Sequence, residues 1–275
     1  VAVGTDPSRI AILDNFCWGD PSRPETLGTL VQAAQGCRDA ALHYGTPFIS
    51  GKDSLNNEYT ASDGKRRAIP GTLLISSIGI HQDVRNSVTT DLKSAGNPIY
   101  LLGEWQPALR GSHAQLVGGQ SLFEHSPAID AVPALPEYAP KIYANLHKAI
   151  HSKFIHSVHD LSEGGLAVTA AEMAFSGRLG LELDISCLNE NPAVALFSET
   201  NGCFLVEVSK QHNIEFEKLF NFTLRNLKPP FVCIGKVSAK EYLNITHNKS
   251  QIIYIPLPDL IKGYKKPNYK LLYCQ

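Results

Sequence analysis

Along the chain, short apolar runs bounded by turn residues alternate with longer stretches whose apolar positions recur at helical spacing. Ile10 to Asn15 is an apolar run ending in Asp-Asn and predicts a strand. Phe16 to Pro24 carries Gly19, Pro21 and Pro24 and predicts a loop. From Thr26 the apolar positions Leu27, Leu30, Val31, Ala34, Cys37, Ala41 and Leu42 predict a helix that Gly45 closes. Pro47 to Ser50 predicts a strand running straight into Gly51-Lys52-Asp53-Ser54. Asn56 to Gly71 is polar and predicts a loop with an excursion at Asp63-Gly64, and Thr72 to His81 predicts another strand. Beyond a polar stretch at 83–97 the alternation resumes. Strands are expected at 98–103, 155–159, 179–185, 202–208, 231–237, 242–246 and 251–255. Helices are expected at 135–152, from Gly164-Gly165 to about Ser176, at 192–198, at 212–220 and from Leu257. Strands interleaved with helices predict an α/β, or α+β layered, fold. The polar stretch divides it into residues 1–92 and 93–275.

Composition narrows the picture. Of 275 residues, 43% are hydrophobic and 19% charged, a globular balance. Lys+Arg total 25 against Asp+Glu 26, so no basic excess exists to neutralise a nucleic-acid backbone, and DNA and RNA are not expected partners. No apolar run approaches the roughly 20 residues of a transmembrane helix, so no membrane partner is expected. Cys17, Cys37, Cys187, Cys203, Cys233 and Cys274 form no C-x-x-C pair. Scattered thiols argue against zinc and against a disulfide framework, and for a reducing, cytoplasmic compartment in which most are small buried hydrophobes. The start, Val1-Ala2-Val3-Gly4 before Asp6-Pro7, reads as the last turn of a helix with its Gly cap. The chain is therefore expected to begin partway through a domain, as a piece of a longer protein.

Three constellations carry candidate chemistry. Asp14 ends one strand, and Ser50-Gly51-Lys52-Asp53-Ser54 ends another. Strand-end carboxylates suit Mg²⁺ or a ribose hydroxyl, and Gly beside Lys and Ser suits a phosphate; an ordinary polar turn is the competing reading. The spacing is not that of a P-loop. His159-Asp160-Leu161-Ser162-Glu163-Gly164-Gly165 joins a strand to a helix, with Ser162 as its expected N-cap. Its glycines serve either anion binding or helix–sheet packing. Phe197-Ser198-Glu199-Thr200-Asn201-Gly202 leads from a helix into a strand, where Glu199 either meets a ligand or solvates the turn. His156 and His159 flank the glycine loop and read as structural residues. Glu172 and Met173 read as capping or packing, and Trp18 as a pocket wall or core.

Together these segments resemble one family. Ala11 to Phe16 (AILDNF) with Trp18-Gly19-Asp20-Pro21, and Ser50 to Leu55 (SGKDSL), are similar to the strand, loop and glycine loop of phosphoribosylformylglycinamidine synthase, in the second half of its large synthetase subunit. HDLSEGGLAVTAAEM (His159 to Met173), FSETNGCFLVEV (Phe197 to Val208) and CIGKVS (Cys233 to Ser238) follow in that family's order. The resemblance covers residue 1 to about 240.

The resemblance implies an ATP-dependent carbon–nitrogen ligase of the glutamine amido-ligase class, in purine biosynthesis. Such an enzyme converts formylglycinamide ribonucleotide (FGAR), ATP and glutamine-derived ammonia to the amidine, ADP and phosphate. It implies a partial AIR synthase-like amino-terminal, barrel-forming subdomain over 1–92 and an AIR synthase-like carboxy-terminal subdomain over 93–275. Asp14, Gly51 and Lys52 fall at nucleotide-binding positions, and Ser54, Gly164 and Gly165 at substrate or phosphate positions. Lys52 stands where many members carry an Mg²⁺-binding Asn, which leaves Asp53 to take the metal. The implied cofactors are ATP or ADP and Mg²⁺. The implied partners are the first half of the synthetase, a glutaminase subunit or domain, and a second copy through the barrel subdomain. The family's catalytic histidine lies in the first half, so this chain alone is expected to be inactive. Two readings stay open beside this one: a non-catalytic half holding a structural nucleotide, and a sister enzyme of the same fold.

Overall fold

The computed structural model describes residues 1–117, 126–222 and 229–266. Cys274 and the other residues outside these ranges are not described. The chain divides into two compact units, Thr5–Gln82 and a second comprising Val1–Gly4 with the chain from Asp83 onward. Residues 83–92 thus cluster with the second unit.

In the first unit β1 (Ile10–Cys17) is the centre of a three-stranded sheet. It leads through α1 (Pro24–Tyr44) to β2 (Phe48–Ser54), which lies parallel to it. α1 opens with Pro24, whose missing N–H costs nothing in a first turn, and ends at Gly45 with φ +66° and its N–H on Ala41 O. The expected loop at 56–71 contains a hairpin, β3 (Glu58–Thr60) and β4 (Arg66–Ala68). It is pinned by Glu58, which pairs with Arg23 at 2.9 Å and Arg66 at 3.0 Å. β5 (Thr72–Gly79) closes the sheet antiparallel to β1. The buried centre is small. Trp18 lies over Gly71, where a Cβ would stand 2.6 Å from the indole, and donates Nε1–H to Thr29 Oγ1 at 3.0 Å. Trp18 is therefore core. Ile49 on β2 and Leu74 and Ile78 on β5 are exposed.

The second unit begins with a turn, Gly4 N–H to Val1 O at 2.8 Å, in which Gly4 has φ +104°. Its elements are β6 (Pro98–Leu102), α2 (His113–Leu116), α3 (Ala139–His151), β7 (Ile155–Asp160), α4 (Gly165–Gly177), β8 (Gly180–Asp184), α5 (Pro192–Phe197), β9 (Phe204–Val208), α6 (Asn213–Leu219), β10 (Phe231–Ser238), β11 (Tyr242–His247), β12 (Ser250–Pro256) and α7 (Leu257–Lys265). α3 starts later than the spacing predicts, because Pro136 and Pro140 restrict helical entry to its first turn.

The seven strands form one mixed sheet in the order β12-β11-β8-β10-β6-β9-β7. Period-2 alternation sends Ile99, Leu101 and Leu205 to one face, against Leu166, Ala170 and Met173 of α4 and Leu257 of α7. It sends Tyr100, Leu102, Phe204 and Val206 to the other, against Ile142, Leu146 and Ile150 of α3 and Phe216 of α6. Helices on both faces of β6 and β9 make this the α/β layered fold the alternation predicts. Of the five described cysteines only Cys203 is buried, and none forms a disulfide; the expectation that most are buried hydrophobes fails at Cys187 and Cys233, which are exposed.

Glu207 of β9 is wholly buried and joins three segments. Its carboxylate accepts from Lys93 N–H at 2.8 Å, Ser94 N–H at 2.9 Å, Asn97 Nδ2 at 2.7 Å and Ser157 Oγ at 3.0 Å. Four donors offset the desolvation of one charge, and removing the acceptor strands all four. Glu207→Ala is expected to destabilise the protein by about 3–5 kcal/mol in denaturant unfolding. A loss below about 1 kcal/mol would show that these donors find other partners.

Candidate functional site

The first group of predicted residues lies on adjacent strands of the first unit. The expected loop Gly51-Lys52-Asp53-Ser54 is strand, because pairing with β1 runs on from Asp14↔Gly51 to Cys17↔Ser54. Tertiary pairing overrides the poor strand propensity of these residues. Asp14 and Gly51 are direct partners, and a Cβ on Gly51 would stand 1.6 Å from Asp14 Oδ1. Only glycine leaves the carboxylate that position.

Strand geometry then separates residues that the sequence groups together. Side chains alternate faces, so Asp53 shares a face with Asp14, and Lys52 shares the opposite one with Ser54. Lys52 Nζ donates to Ser54 Oγ, as residues two apart on one face do. Burial raises the pKa of Cys37 on α1, and the Asp14 charge adds to the rise. One face thus offers hard oxygen donors, the other an ammonium and a hydroxyl.

The second group surrounds the turn from β7 into α4. Gly164 has φ +82° and Gly165 φ +59°, the left-handed region that glycine tolerates. A Cβ on Gly165 would lie 2.7 Å from Ser198 O and 2.9 Å from Leu196 O. The glycine is required because the backbone after α5 lies against it. Gly164 occupies the N-cap, and the expected cap, Ser162, hydrogen-bonds Asp160 Oδ2 instead.

His159 lies between two carboxylates, with Nε2 2.7 Å from Glu172 Oε2 and Nδ1 3.3 Å from Asp160 Oδ1. Two acceptors require two ring N–H donors, which only the imidazolium has. The hydrogen bond to Asp160 raises the His159 pKa, burial opposes it, and the contact with Glu172 adds to the rise. In turn His159 holds the Asp160 carboxyl well below the usual carboxylate range, with Ser162 assisting.

Asp160, Ser162, Glu163, Glu199 and Asn201 line a cavity of about 520 Å³ with His113 and Tyr143. Three of these are carboxylates, and no Lys or Arg is among the lining residues. Glu199 Oε1 accepts from Gly164 N–H and His113 N–H, both at 2.8 Å. Of the two readings of Glu199, the one these bonds support is the structural role at the turn, with the carboxylate satisfying backbone N–H groups. His113 carried no local signal, because its partner lies 86 residues away. A second cavity, of about 690 Å³, is walled by Leu101, Trp105, Tyr138, Leu188 and Phe231. None of the residues of the three candidate constellations is among its lining.

The chain is similar to known proteins in sequence and in fold. Residues 94–248 match the family described as AIR synthase related protein, C-terminal domain. Phosphoribosylformylglycinamidine synthase subunit PurL of Leuconostoc mesenteroides subsp. mesenteroides is 32% identical over 255 residues, covering 91% of this chain and 31% of that protein. The subunit from Lactobacillus helveticus is 33% identical over 248 residues, covering 89% and 30%. The chain spans about a third of the length of these relatives. Among solved structures, T. maritima PurL complexed with FGAR has a TM-score of 0.66 at 16% identity, covering 94% of this chain and 40% of that one. Hydrogenase maturation protein HypE in complex with ATP has a TM-score of 0.60 at 15% identity, covering 94% and 77%. At these identities the likeness is one of fold.

The doubly paired His159 gives a pH signature. A raised folded-state pKa means stabilisation that is complete below the unfolded value, about 6.5, and is lost as pH rises through the folded value. Denaturation midpoints of the native protein are expected to fall between about pH 6 and pH 9, with a smaller fall in His159→Gln. Equal falls would show that His159 is not the group responsible.

Proposed function

The chain belongs to the AIR synthase related family through its C-terminal domain, and from that membership we propose that it is the second half of the synthetase subunit of a phosphoribosylformylglycinamidine synthase. The observation that carries the reading is the alignment of 91% of the chain with a subunit of that name at 32% identity. The reaction proposed for the whole protein joins ammonia to FGAR at the expense of ATP, giving the amidine, ADP and phosphate. In this reading residues 5–82 supply a partial amino-terminal, barrel-forming subdomain, and the unit from Asp83 onward the carboxy-terminal one. The exposed Leu74 and Ile78, on one face of β5, support an apolar sheet surface that a partner covers, either the first half or a second copy. A glutaminase subunit or domain supplies ammonia, and the reaction is placed in the cytoplasm. Among the described residues no helix is long and apolar enough to cross a membrane.

Each residue has a role in this reading. Asp14, seated over Gly51, holds the nucleotide, and Lys52 neutralises a phosphate group. Ser54, beside Lys52, contacts substrate, and the Gly164-Gly165 turn takes a substrate phosphate. Asp53, on the Asp14 face, is the Mg²⁺ ligand. Among the described residues no cluster of three or more His, Cys, Asp or Glu side chains could hold a metal by itself. Mg²⁺ commonly takes one or two carboxylates and completes its shell with water and phosphate oxygens. Bound there, the ion would spread the charge of the transferred phosphoryl group.

Calorimetric titration of the intact protein with Mg-ADP tests the nucleotide assignment. Asp14→Ala removes the carboxylate and Gly51→Ala displaces it, and each is expected to weaken binding at least about tenfold. Unchanged affinity in both would remove the nucleotide from this strand pair. The 275-residue chain alone, about a third of its relatives' length, is expected to release no ADP in response to FGAR. Release from it would overturn the assignment of this chain as a dependent half.

A further inference from the structure

The 690 Å³ cavity of the second unit has no part in the reaction proposed above, and its walls select a ligand class of their own. It lies at one end of the large sheet, where β6 and β8 finish on either side of the start of β10. In open α/β sheets ligand crevices form at the carboxyl ends of strands. The volume is that of a small-molecule site, commonly about 300–1,000 Å³. The protein itself ties the walls together. Gly103 N–H donates to Pro230 O at 2.8 Å, and Glu104 Oε1 accepts Tyr138 N–H at 2.5 Å. The Gln106 side chain bridges to Ala134, its Oε1 accepting Ala134 N–H at 3.0 Å and its Nε2 donating to Ala134 O at 3.4 Å. Thr200 Oγ1 takes both backbone groups of Gln106. The cavity is therefore preformed, as small-molecule sites usually are.

Three aromatic residues, Trp105, Tyr138 and Phe231, line it beside Leu101 and Leu188. Trp105 Nε1 is buried, so the indole offers the cavity ring carbon rather than a donor. Its charged lining residues are Glu104 and Glu137, and no Lys, Arg or His is among the lining residues. An anion here would meet two like charges and no counter-charge. A cation would meet carboxylates together with aromatic rings, whose faces attract positive charge. We propose that this cavity binds a small organic cation, an ammonium or guanidinium group carried on an apolar body. The charge lies beside Glu104 and Glu137, and the body packs against Trp105, Tyr138 and Phe231. The inference does not depend on the reaction assigned to the protein, because none of the residues given a role in that reaction lines this cavity.

The test is calorimetric titration of the intact protein with benzyltrimethylammonium, with benzyl alcohol as the uncharged comparator and benzoate as the anionic one. The cation is expected to bind at least about tenfold more tightly than either. Glu104→Gln keeps an acceptor for the Tyr138 N–H and removes only the charge. Combined with Glu137→Gln, it is expected to lower cation affinity at least about fivefold and to leave benzyl alcohol binding unchanged. Trp105→Leu removes a ring and is expected to weaken the cation as well. Should that variant not fold, the paired Gln substitutions decide the question, since they change charge without changing shape. Benzyl alcohol bound as tightly as the cation would overturn the charge selection, and no binding of the cation would overturn the site. Cation binding that Glu163→Gln weakens and the paired Gln substitutions do not would place the cation in the 520 Å³ cavity, and would overturn the inference too.

Discussion

The Glu207 carboxylate is the constraint on which the second unit turns. It is a charge with no exposure, on a strand flanked by β6 and β7. The cost of burying it is offset only if the segments bearing its four donors arrive together. Lys93, Ser94 and Asn97 lie on the entry to β6, and Ser157 lies on β7. Asn97 extends the network, its Oδ1 accepting Lys210 N–H at 3.1 Å and its amide lying 3.0 Å from His156 Nδ1. One ionised group thereby specifies where the chain enters the sheet, which apolar contacts alone do less well because they are not directional.

With that entry held, alternation along β6 and β9 feeds two apolar layers, and the turns at one end of the sheet carry the polar chemistry. The β7–α4 turn and the α5–β9 segment each contribute to one cavity. Their backbones approach so closely that Gly165 admits no side chain. The first unit is built differently. Its buried centre rests mainly on Phe16 and Trp18, while much of its sheet is apolar and open. Such a surface is expected of an element completed by a partner rather than by its own helices.

Site chemistry follows from the same geometry. On β2, a single-residue step carries the chain from one face to the other, so Lys52 and Asp53 cannot serve the same ligand atom from one side. At the glycine turn, carboxylates outnumber cations, and His159 supplies the nearby positive charge only because Asp160 and Glu172 hold it protonated. The Gly164 N–H at that turn is taken up by the Glu199 carboxylate.

The local pattern of the sequence determined most of the elements, because period-2 and period-3.6 apolar spacing is a property of neighbours along the chain. It placed β6 to β12 and α3 to α7 within a few residues, and it marked Gly45 as a helix end. It also singled out Asp14, Gly51 and the Gly164-Gly165 turn as chemically unusual positions. Tertiary structure decided what depends on partners distant in sequence. It made Ser50 to Ser54 a strand, because β1 offered a ladder. It made Gly164 rather than Ser162 the cap, because Asp160 took the serine hydroxyl. It joined Glu199 to His113 and Gly164 across 86 and 35 residues, and Glu207 to Ser94 across 113. No window of local sequence contains such a pair, since hydrogen bonding and burial are settled by proximity in space.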